Sequence, residues 1–450
     1  MNKKLTHIRV EKLFGMFDHS ISMRLKDRIT IIHGPNGFGK TAILQMVEAV
    51  LTNQFSIFRH TPFKTFSLSF DDGLEIRVLK GGTQKNRATE ENPRTLSIEL
   101  HEKQRIHGEH RVELFSDTNR LDFPLEFIER HIDGLQRIGP ESWLQLQTGR
   151  KLDIDDVIDI YGHMLPFRRP RSGELPEWLS TFPKAFDVRL IQAQRLINLS
   201  DRSKFAHSDT GFLFEPAVSS YSREIVAKMQ EKRAEYGTVS QKLDSTFPSR
   251  VLLKKPSPPI AIQALEAKLA ELDERRQRFM DSGLLAKEPH PHLGIGPREQ
   301  VDPNTNGILS LYAEDVERKL AVFDEVSARI ELFRELINKR FSYKTINIEA
   351  KEGFKLVSDT GLPLVPADLS SGEQHELVLL YELLFRTKPN ALILIDEPEL
   401  SLHVGWQVEF LRDLERIIKL SSFDVILATH SPQVINNRWD LTQELLGPTR

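Results

Sequence analysis

The stretch Gly34-Pro35-Asn36-Gly37-Phe38-Gly39-Lys40-Thr41 decides the fold, because it fits the pattern G-x-x-x-x-G-K-[ST] in a strand–loop–helix context. A β-branched apolar run (29–32) precedes it and an apolar helical segment (42–48) follows it. Its glycines allow the backbone to turn N–H groups toward a phosphate, and the new helix adds the positive end of its dipole. We expect Lys40 to reach the β- and γ-phosphates of a nucleotide and Thr41 to bind Mg²⁺.

The composition is that of an ordinary globular protein. Of the 450 residues, 39% are hydrophobic and 28% are charged, and no apolar run approaches the roughly 18 residues that a membrane span needs. The amino terminus lacks the apolar core of a signal peptide, and there is no cysteine, so we expect a cytoplasmic protein without membrane contact, disulfides or thiolate chemistry. The net charge of −3 gives no overall attraction for nucleic acid, which leaves direct DNA binding uncertain.

Strand and helix patterns divide the chain into three parts. Strands are predicted at 7–13, 20–25, 65–70, 74–79 and 95–100, and a helical pattern runs from about 121 to 165. Charged helices follow at 221–243, 260–280 and 309–340, and proline-rich loops at 247–259 and 289–294 are expected to stop them. Strands return at 345–348 and 354–357, and the last hundred residues alternate strand and helix as in a parallel sheet.

Two clusters in the middle of the chain admit either a binding role or a plain surface role. Three arginines at 168, 169 and 171 could hold a phosphate backbone, but a solvated basic loop is favoured, because no aromatic platform accompanies them. His290 and His292 could bind a metal ion, but they alternate with proline in a loop, which favours simple exposure.

Carboxylates end a buried strand in the last part of the chain. The apolar run 391–395 leads into Asp396 and Glu397, as expected of a strand that delivers acids to the carboxyl edge of a parallel sheet. Asp396 would complete a Mg²⁺ shell, and Glu397, which points to the other side, would take a proton from an attacking water.

Two further polar sites flank this strand. Ser370, with Glu373 three residues later, has the spacing of a capping box, and the same helix start could instead face a γ-phosphate. His430 follows the apolar strand 423–428, at the edge where open α/β sheets bind ligands, and there it could contact the γ-phosphate.

Taken in order, these elements resemble the ATP-binding-cassette (ABC) ATPases of the SMC, RecF and OLD-like group. The matching segments are G-P-N-G-F-G-K-T, the glutamine-loop-like 188–194, L-S-S-G-E-Q (369–374), I-L-I-D-E-P-E-L-S-L-H (393–403) and A-T-H-S-P (428–432). The resemblance implies an α/β fold: a P-loop ATPase head of a mixed β layer and a parallel sheet with helices, interrupted by a helical or short coiled-coil region. The implied domains are 1–218 and 341–450, the two halves of the head, and 219–340, the helical insertion.

The resemblance also assigns residues to ATP and Mg²⁺. Nucleotide contacts fall on Asn36, Gly37, Gly39, Lys40, Thr41, Ser370 and Gly372; metal contacts fall on Thr41, Gln192 and Asp396; catalytic roles fall on Glu397, His430 and Lys40. Gln194 remains an alternative to Gln192. Pro398 to His403 correspond to the family's D-loop.

The resemblance further implies partners. In this group the signature loop of one head completes the ATP site of another, which implies a homodimer with ATP at the interface and a higher-order oligomer. An insertion of roughly 120 residues disfavours the long-armed SMC class, and the 20 residues after His430 (450 − 430) leave no room for a TOPRIM nuclease domain.

The chain is therefore similar to stand-alone ATPase subunits of two-gene anti-phage systems, most of all PARIS, with Septu next. That similarity implies abortive infection, a phage-encoded trigger and a separately encoded nuclease, TOPRIM-type or alternatively HNH. The alternative function is a RecF-like DNA-repair ATPase.

Overall fold

A computed structural model describes residues 3–448 with several gaps. The residues not described within this range are 56, 81–94, 103–104, 114–124, 126–127, 129–131, 133, 141, 147–149, 162–174, 181–185, 193–196, 199–214, 254–260, 287–302 and 401. The arginine cluster at 168–171, the histidines at 290 and 292, and Gln194 lie outside the described residues.

The described strands and helices are numbered in chain order. The strands are β1 (Leu5–Leu13), β2 (Phe17–Ser22), β3 (Ile29–His33), β4 (Thr65–Phe70), β5 (Leu74–Lys80), β6 (Thr95–Glu102), β7 (Arg105–Glu113), β8 (Leu135–Gly139), β9 (Ser142–Gln145), β10 (Arg150–Asp153), β11 (Val188–Gln192), β12 (Ile197–Asn198), β13 (Glu215–Pro216), β14 (Lys344–Glu349), β15 (Gly353–Ser358), β16 (Pro363–Leu364), β17 (Leu392–Asp396), β18 (Asp424–Thr429) and β19 (Thr442–Glu444). The helices are α1 (Lys40–Thr52), α2 (Ile57–His60), α3 (Ile154–Tyr161), α4 (Glu177–Ser180), α5 (Ala217–Leu253), α6 (Ile262–Asp281), α7 (Pro303–Arg340), α8 (Ser371–Phe385), α9 (Val404–Ser421) and α10 (Pro432–Ile435). Short 3₁₀ turns lie at Pro366–Asp368, Pro398–Leu400 and Trp439–Leu441. No described helix is both long enough and apolar enough to span a bilayer.

The chain divides into two compact units, 1–217 with 371–450, and 218–370. The first unit is a mixed α/β fold built on two sheets. One sheet is antiparallel, in the order β2-β1-β4-β5-β6-β7, and β2 alternates buried and exposed residues as an antiparallel strand with one solvated face does. The predicted strands of this layer are confirmed, with ends that differ by a few residues.

The second sheet positions the candidate site. It is parallel, in the order β11-β17-β18-β3-β19, and its central strands β3, β17 and β18 are apolar almost throughout, because both faces are buried. Side chains of α1 share one hydrophobic core with residues of both sheets, among them Val47 with Leu68 and Leu394. The helix after the phosphate loop thus packs between the two β layers.

The helical prediction for 121–165 is wrong between 135 and 153. There β8, β9 and β10 form a small antiparallel sheet, which turns at Gly139 and buries Trp143 and Leu152. Apolar residues that alternate with period two favour strands here, because the buried Trp143 then packs into a small core of its own. The prediction holds for α3, which follows directly.

The second unit contains α5, α6 and α7 and the antiparallel strands β14, β15 and β16. All three predicted helices are present, but the expected stop at 247–259 is wrong in part, because α5 continues through Pro248 to Leu253. Arg250 holds this turn: its guanidinium donates to the Leu243 carbonyl at 2.8 Å and makes two 2.6 Å bonds to Asp315 of α7. These contacts offset the hydrogen bond that proline removes from the helix.

Candidate active site

The phosphate loop joins β3 to α1 and wraps around a buried lysine. Gly37 and Gly39 adopt left-handed backbone angles (φ 85° and 90°), which favour glycine. Lys40 is only 4% exposed, and its Nζ donates to the carbonyls of Gly34 at 2.8 Å and Pro35 at 3.1 Å. An ammonium group therefore lies inside the loop, while Asn36 and Gly37 lie exposed on its rim. A positive charge held inside the loop is suited to a bound phosphate.

A hydroxyl and a carboxylate from distant parts of the sequence meet beside the lysine. Thr41, in the first turn of α1, donates its hydroxyl to Oδ1 of Asp396, at the end of β17, at 3.2 Å. Burial, reinforced by the charges of Glu397 and Glu399, raises the pKa of Asp396 to about 6, against the lowering effects of Thr41 and Lys40. Hydroxyl and carboxylate oxygens are Mg²⁺ ligands, and a carboxylate whose charge is disfavoured by its surroundings fits a site completed by a cation.

The strand register brings a third predicted metal contact to the same edge. Gln192 ends β11 directly opposite Asp396 in the parallel pairing of β11 with β17. The backbone of Gln192 therefore reaches the carboxyl edge of the sheet, next to the Thr41–Asp396 pair, and Gln192 stays a prediction as a ligand.

An acid and a histidine complete this edge. Glu397 has a left-handed backbone (φ 44°), unusual for a residue with a side chain, and its N–H donates to the Ala428 carbonyl at 2.9 Å. Its Oε1 lies 3.7 Å from Nδ1 of His430, which follows β18. Lys40, Thr41, Asp396, Glu397 and His430 therefore gather at the carboxyl ends of β3, β17 and β18. Such an arrangement can hold a triphosphate and activate a water.

Comparison with family models assigns the chain. A model described as "AAA domain, putative AbiEii toxin, Type IV TA system" matches residues 159–436, more than half of the chain. The chain belongs to this AAA-domain family. A second model, described as an AAA domain, matches residues 12–162 of this AAA ATPase. The phosphate loop lies in the second match, and Asp396, Glu397 and His430 lie in the first.

Solved structures of SMC heads overlap with the AAA ATPase over almost its whole length. The Smc head domain of Pyrococcus furiosus, with an extended coiled coil and bound to the C-terminal domain of ScpA, is 14% identical, with a TM-score of 0.34 and coverage of 96% of this chain and 91% of that chain. The SMC head domain from Thermotoga maritima is 11% identical, with a TM-score of 0.33 and coverage of 99% of both chains. A SmcHead bound to the C-winged helix domain of ScpA gives 11% identity, a TM-score of 0.33 and coverage of 96% and 91%. At these TM-scores the likeness supports no conclusion about this chain. No curated protein sequence matches the chain.

Two residues of the AAA ATPase site were missed by the sequence reasoning. Glu399, buried in the turn after Glu397, places Oε1 3.0 Å from Nδ1 of His430. His19 of β2 is 5% exposed, and its Nε2 lies 3.0 Å from the Phe38 carbonyl of the phosphate loop; burial lowers its pKa. Glu399 was visible only as the third acid in D-E-P-E, and His19 gave no signal in the sequence.

The segment assigned to the signature loop stands at the start of α8. This helix begins at Ser371, so that Ser370 lies directly before it, exposed, and Gly372 lies in its first turn. The start of a helix carries the positive end of the helix dipole, which favours an anion. Contact of Ser370 and Gly372 with a nucleotide held by a second copy of the AAA ATPase stays a prediction.

Proposed function

We propose that this AAA ATPase binds ATP together with Mg²⁺ and hydrolyses the γ-phosphate bond. The observation that carries the proposal is the Thr41–Asp396 hydrogen bond, which joins two motifs 355 residues apart beside the buried Lys40. Chance placement of a glycine loop and of an acidic strand end would not bring these side chains into contact.

Each side chain has a separate task in the proposed reaction. Lys40 would exchange its bonds with the Gly34 and Pro35 carbonyls for bonds with β- and γ-phosphate oxygens. Thr41 and Asp396 would hold Mg²⁺, with Gln192 as the third protein contact; when bound, the ion neutralises charge on the phosphates. Glu397 would orient a water and accept its proton, and His430 would contact the γ-phosphate from the neighbouring strand.

Hydrolysis is tested with a substitution that keeps the shape of the site. Glu397→Gln retains the side-chain volume but lacks the carboxylate, so we expect kcat to fall by roughly 10²- to 10⁴-fold while ATP binding persists. Glu75→Gln, at an acid paired with Arg77 in the antiparallel sheet, is the matched control and should leave the rate unchanged. A wild-type protein without Mg²⁺-dependent ATP hydrolysis, or equal rates for Glu397→Gln and wild type, would refute the proposal.

We further propose that two copies close over two ATP molecules, each copy offering Ser370 and Gly372 to the other's nucleotide. The exposure of Ser370 directly before α8 supports this, because the start of a helix favours an anion through the positive end of its dipole. Sedimentation of Glu397→Gln with ATP should show a dimer or a larger oligomer, and Ser370→Arg should prevent its formation without loss of ATP binding. Ser245→Arg, at an exposed position of α5, serves as control. A monomer under every nucleotide condition would contradict the proposal.

The cellular role that we propose is that of a sensor and scaffold in abortive infection. It would control a separately encoded nuclease, TOPRIM-type as in PARIS or HNH as in Septu, and would respond to a phage-encoded trigger. The family description, which includes a toxin–antitoxin system, supports a role in growth arrest. Cells that carry the chain and its neighbouring gene should resist phage, and Lys40→Met should abolish resistance. Protection by the chain alone, or ATP-dependent and salt-sensitive DNA binding with no nuclease partner, would instead favour the RecF-like repair function.

A further inference from the structure

We propose that Glu399 is a positioning residue that fixes the orientation and the tautomer of His430. The inference rests on the proposed placement of His430 at the γ-phosphate, and it concerns a residue two positions beyond the proposed general base. Glu399 belongs to the 3₁₀ turn Pro398–Leu400, and its side chain is only 5% exposed.

One oxygen of this carboxylate, Oε1, makes all of its described contacts with Thr429 and His430. Oε1 accepts a hydrogen bond from the Thr429 hydroxyl at 2.6 Å and one from the His430 backbone N–H at 2.8 Å, and it lies 3.0 Å from Nδ1 of the His430 ring. The acid therefore binds the backbone of the histidine and lies beside its ring. The other candidate partner, Oε1 of Glu397, is 3.7 Å from Nδ1, beyond hydrogen-bond distance.

A second set of bonds locks the same turn from the other side. The Gln407 amide donates to the Glu399 carbonyl at 3.2 Å and accepts from the Ser431 hydroxyl at 3.0 Å, and the Ser431 N–H donates to the Thr429 hydroxyl oxygen at 3.0 Å. Both neighbours of His430 are thus tied to the turn that carries Glu399 or to the helix after it. A histidine held at both flanks has little freedom to swing away from its acid.

The chemistry of the contact selects one form of the ring. An ionised carboxylate only accepts hydrogen bonds, so a ring nitrogen 3.0 Å from Oε1 is favoured when it carries the proton, which selects the Nδ1–H form. Nε2 is then the ring nitrogen left for the nucleotide site. In the neutral ring it accepts a hydrogen bond from a donor such as a water beside the γ-phosphate, and in the protonated ring it donates to a phosphate oxygen itself. Glu399 Oε2 is buried and meets no donor among the described residues, so no described cation competes with His430 for the carboxylate.

Nitrogen NMR of the full-length protein without nucleotide reads the tautomer directly. The protein would be labelled with ¹⁵N-histidine, studied at a pH where the ring is neutral, and assigned by the loss of one ring signal in His430→Gln. We expect the Nδ1–H form in wild type, its retention in Glu399→Gln, which keeps an acceptor oxygen, and its replacement by the Nε2–H form or a mixture in Glu399→Met. Asp413→Asn, at a carboxylate equally buried in α9, should leave the tautomer unchanged.

Kinetics give a second readout. Glu399→Met should lower kcat by about 10- to 100-fold, as loss of an orienting partner does, with KM for ATP within about twofold of wild type, and Glu399→Gln should restore most of the rate. An Nε2–H ring in wild type overturns the proposal, whether or not Glu399→Met folds. So does an unchanged tautomer in folded Glu399→Met. If the tautomer shifts as expected but wild type hydrolyses no ATP, the positioning role stands and the proposed function fails.

Discussion

The last glycine of the phosphate loop, Gly39, has no room for even a single methyl group. Gly39 has φ +90°, and a Cβ built on it would lie 2.3 Å from Cδ2 of Leu13, at the end of β1. Gly37 has nearly the same angle, φ +85°, but a Cβ there meets nothing within 4 Å. A comparison of Gly37→Ala with Gly39→Ala therefore separates the cost of backbone strain from the cost of crowding against Leu13.

The magnitudes follow from these two costs. A left-handed backbone destabilises an alanine by about 1–2 kcal/mol, so Gly37→Ala should lower the free energy of unfolding by that amount. Gly39→Ala adds about 1–3 kcal/mol of overpacking against Leu13, which gives a total of roughly 2–5 kcal/mol.

Tryptophan fluorescence during urea unfolding is the suitable assay. The four tryptophans, Trp143, Trp178, Trp406 and Trp439, all belong to the first compact unit, so their signal reports the unit that contains the loop. Leu13→Ala alone should also destabilise this unit, because Leu13 is fully buried. In the double variant Leu13→Ala/Gly39→Ala the crowding disappears. Its loss of unfolding free energy should therefore be about 1–3 kcal/mol smaller than the sum of the losses in the two single variants.

Two results would refute this reasoning. Equal destabilisation by Gly37→Ala and Gly39→Ala would mean that the β1–β2 turn moves aside without cost. Additive losses in the double variant would mean that Leu13 is not the group that excludes a side chain at Gly39.

Three further predictions concern other parts of the molecule. Gln192→Ala should raise the Mg²⁺ concentration required for half-maximal ATP hydrolysis and Gln194→Ala should not, because the register puts Gln192 opposite Asp396; the reverse result would move the metal contact to Gln194. Arg250→Met should destabilise the second unit by about 3–5 kcal/mol, measured by urea unfolding followed by circular dichroism. The reason is that the substitution leaves the Asp315 side chain, which is only 4% exposed, without its two hydrogen bonds to Arg250. A loss below about 1 kcal/mol would show that this ion pair contributes little to stability. Burial raises the pKa of Asp424 against the lowering effects of Lys4 and Arg28, so the folded state holds this proton more tightly than the unfolded state and loses stability as pH rises above the ordinary aspartate value of 3.8. Asp424→Asn should therefore melt at a higher temperature than wild type at pH 7, with a difference that shrinks toward pH 4, and a pH-independent difference would contradict this.

Local chemistry made much of the fold predictable. The phosphate loop, the buried strands β17 and β18 and the helices of the second unit each carry their signal within about ten residues, either as glycine spacing or as apolar periodicity. The convergence of Thr41 with Asp396 followed from a topological rule, since parallel strands end at one edge.

Other features could not be predicted, because distant residues decide them. The segment 135–153 contains apolar spacings that fit a helix or a strand, and the burial of Trp143 in its own small core selects the strand. Pro248 predicts a helix stop, but the helix continues because Arg250 binds Asp315, which lies 65 residues further along the sequence. The side chain of Glu399 is bound by Thr429 and His430, about 30 residues away.

The strand order explains how the sheet tolerates a second unit within the sequence. β3, from the start of the chain, pairs with β18 on one side and β19 on the other, so the parallel sheet closes only when both ends of the chain have met. Loop-closure entropy grows slowly with length. Thr41 and Asp396 are 355 residues apart, and the second unit (218–370) lengthens this separation by less than one doubling, which costs about 0.5 kcal/mol. Fully burying one of the apolar side chains in β17 or β18 contributes more than that, about 1.5–3 kcal/mol. Burial of the strands of the parallel sheet therefore outweighs the entropy cost of bringing Lys40 to Asp396 across the sequence of the second unit.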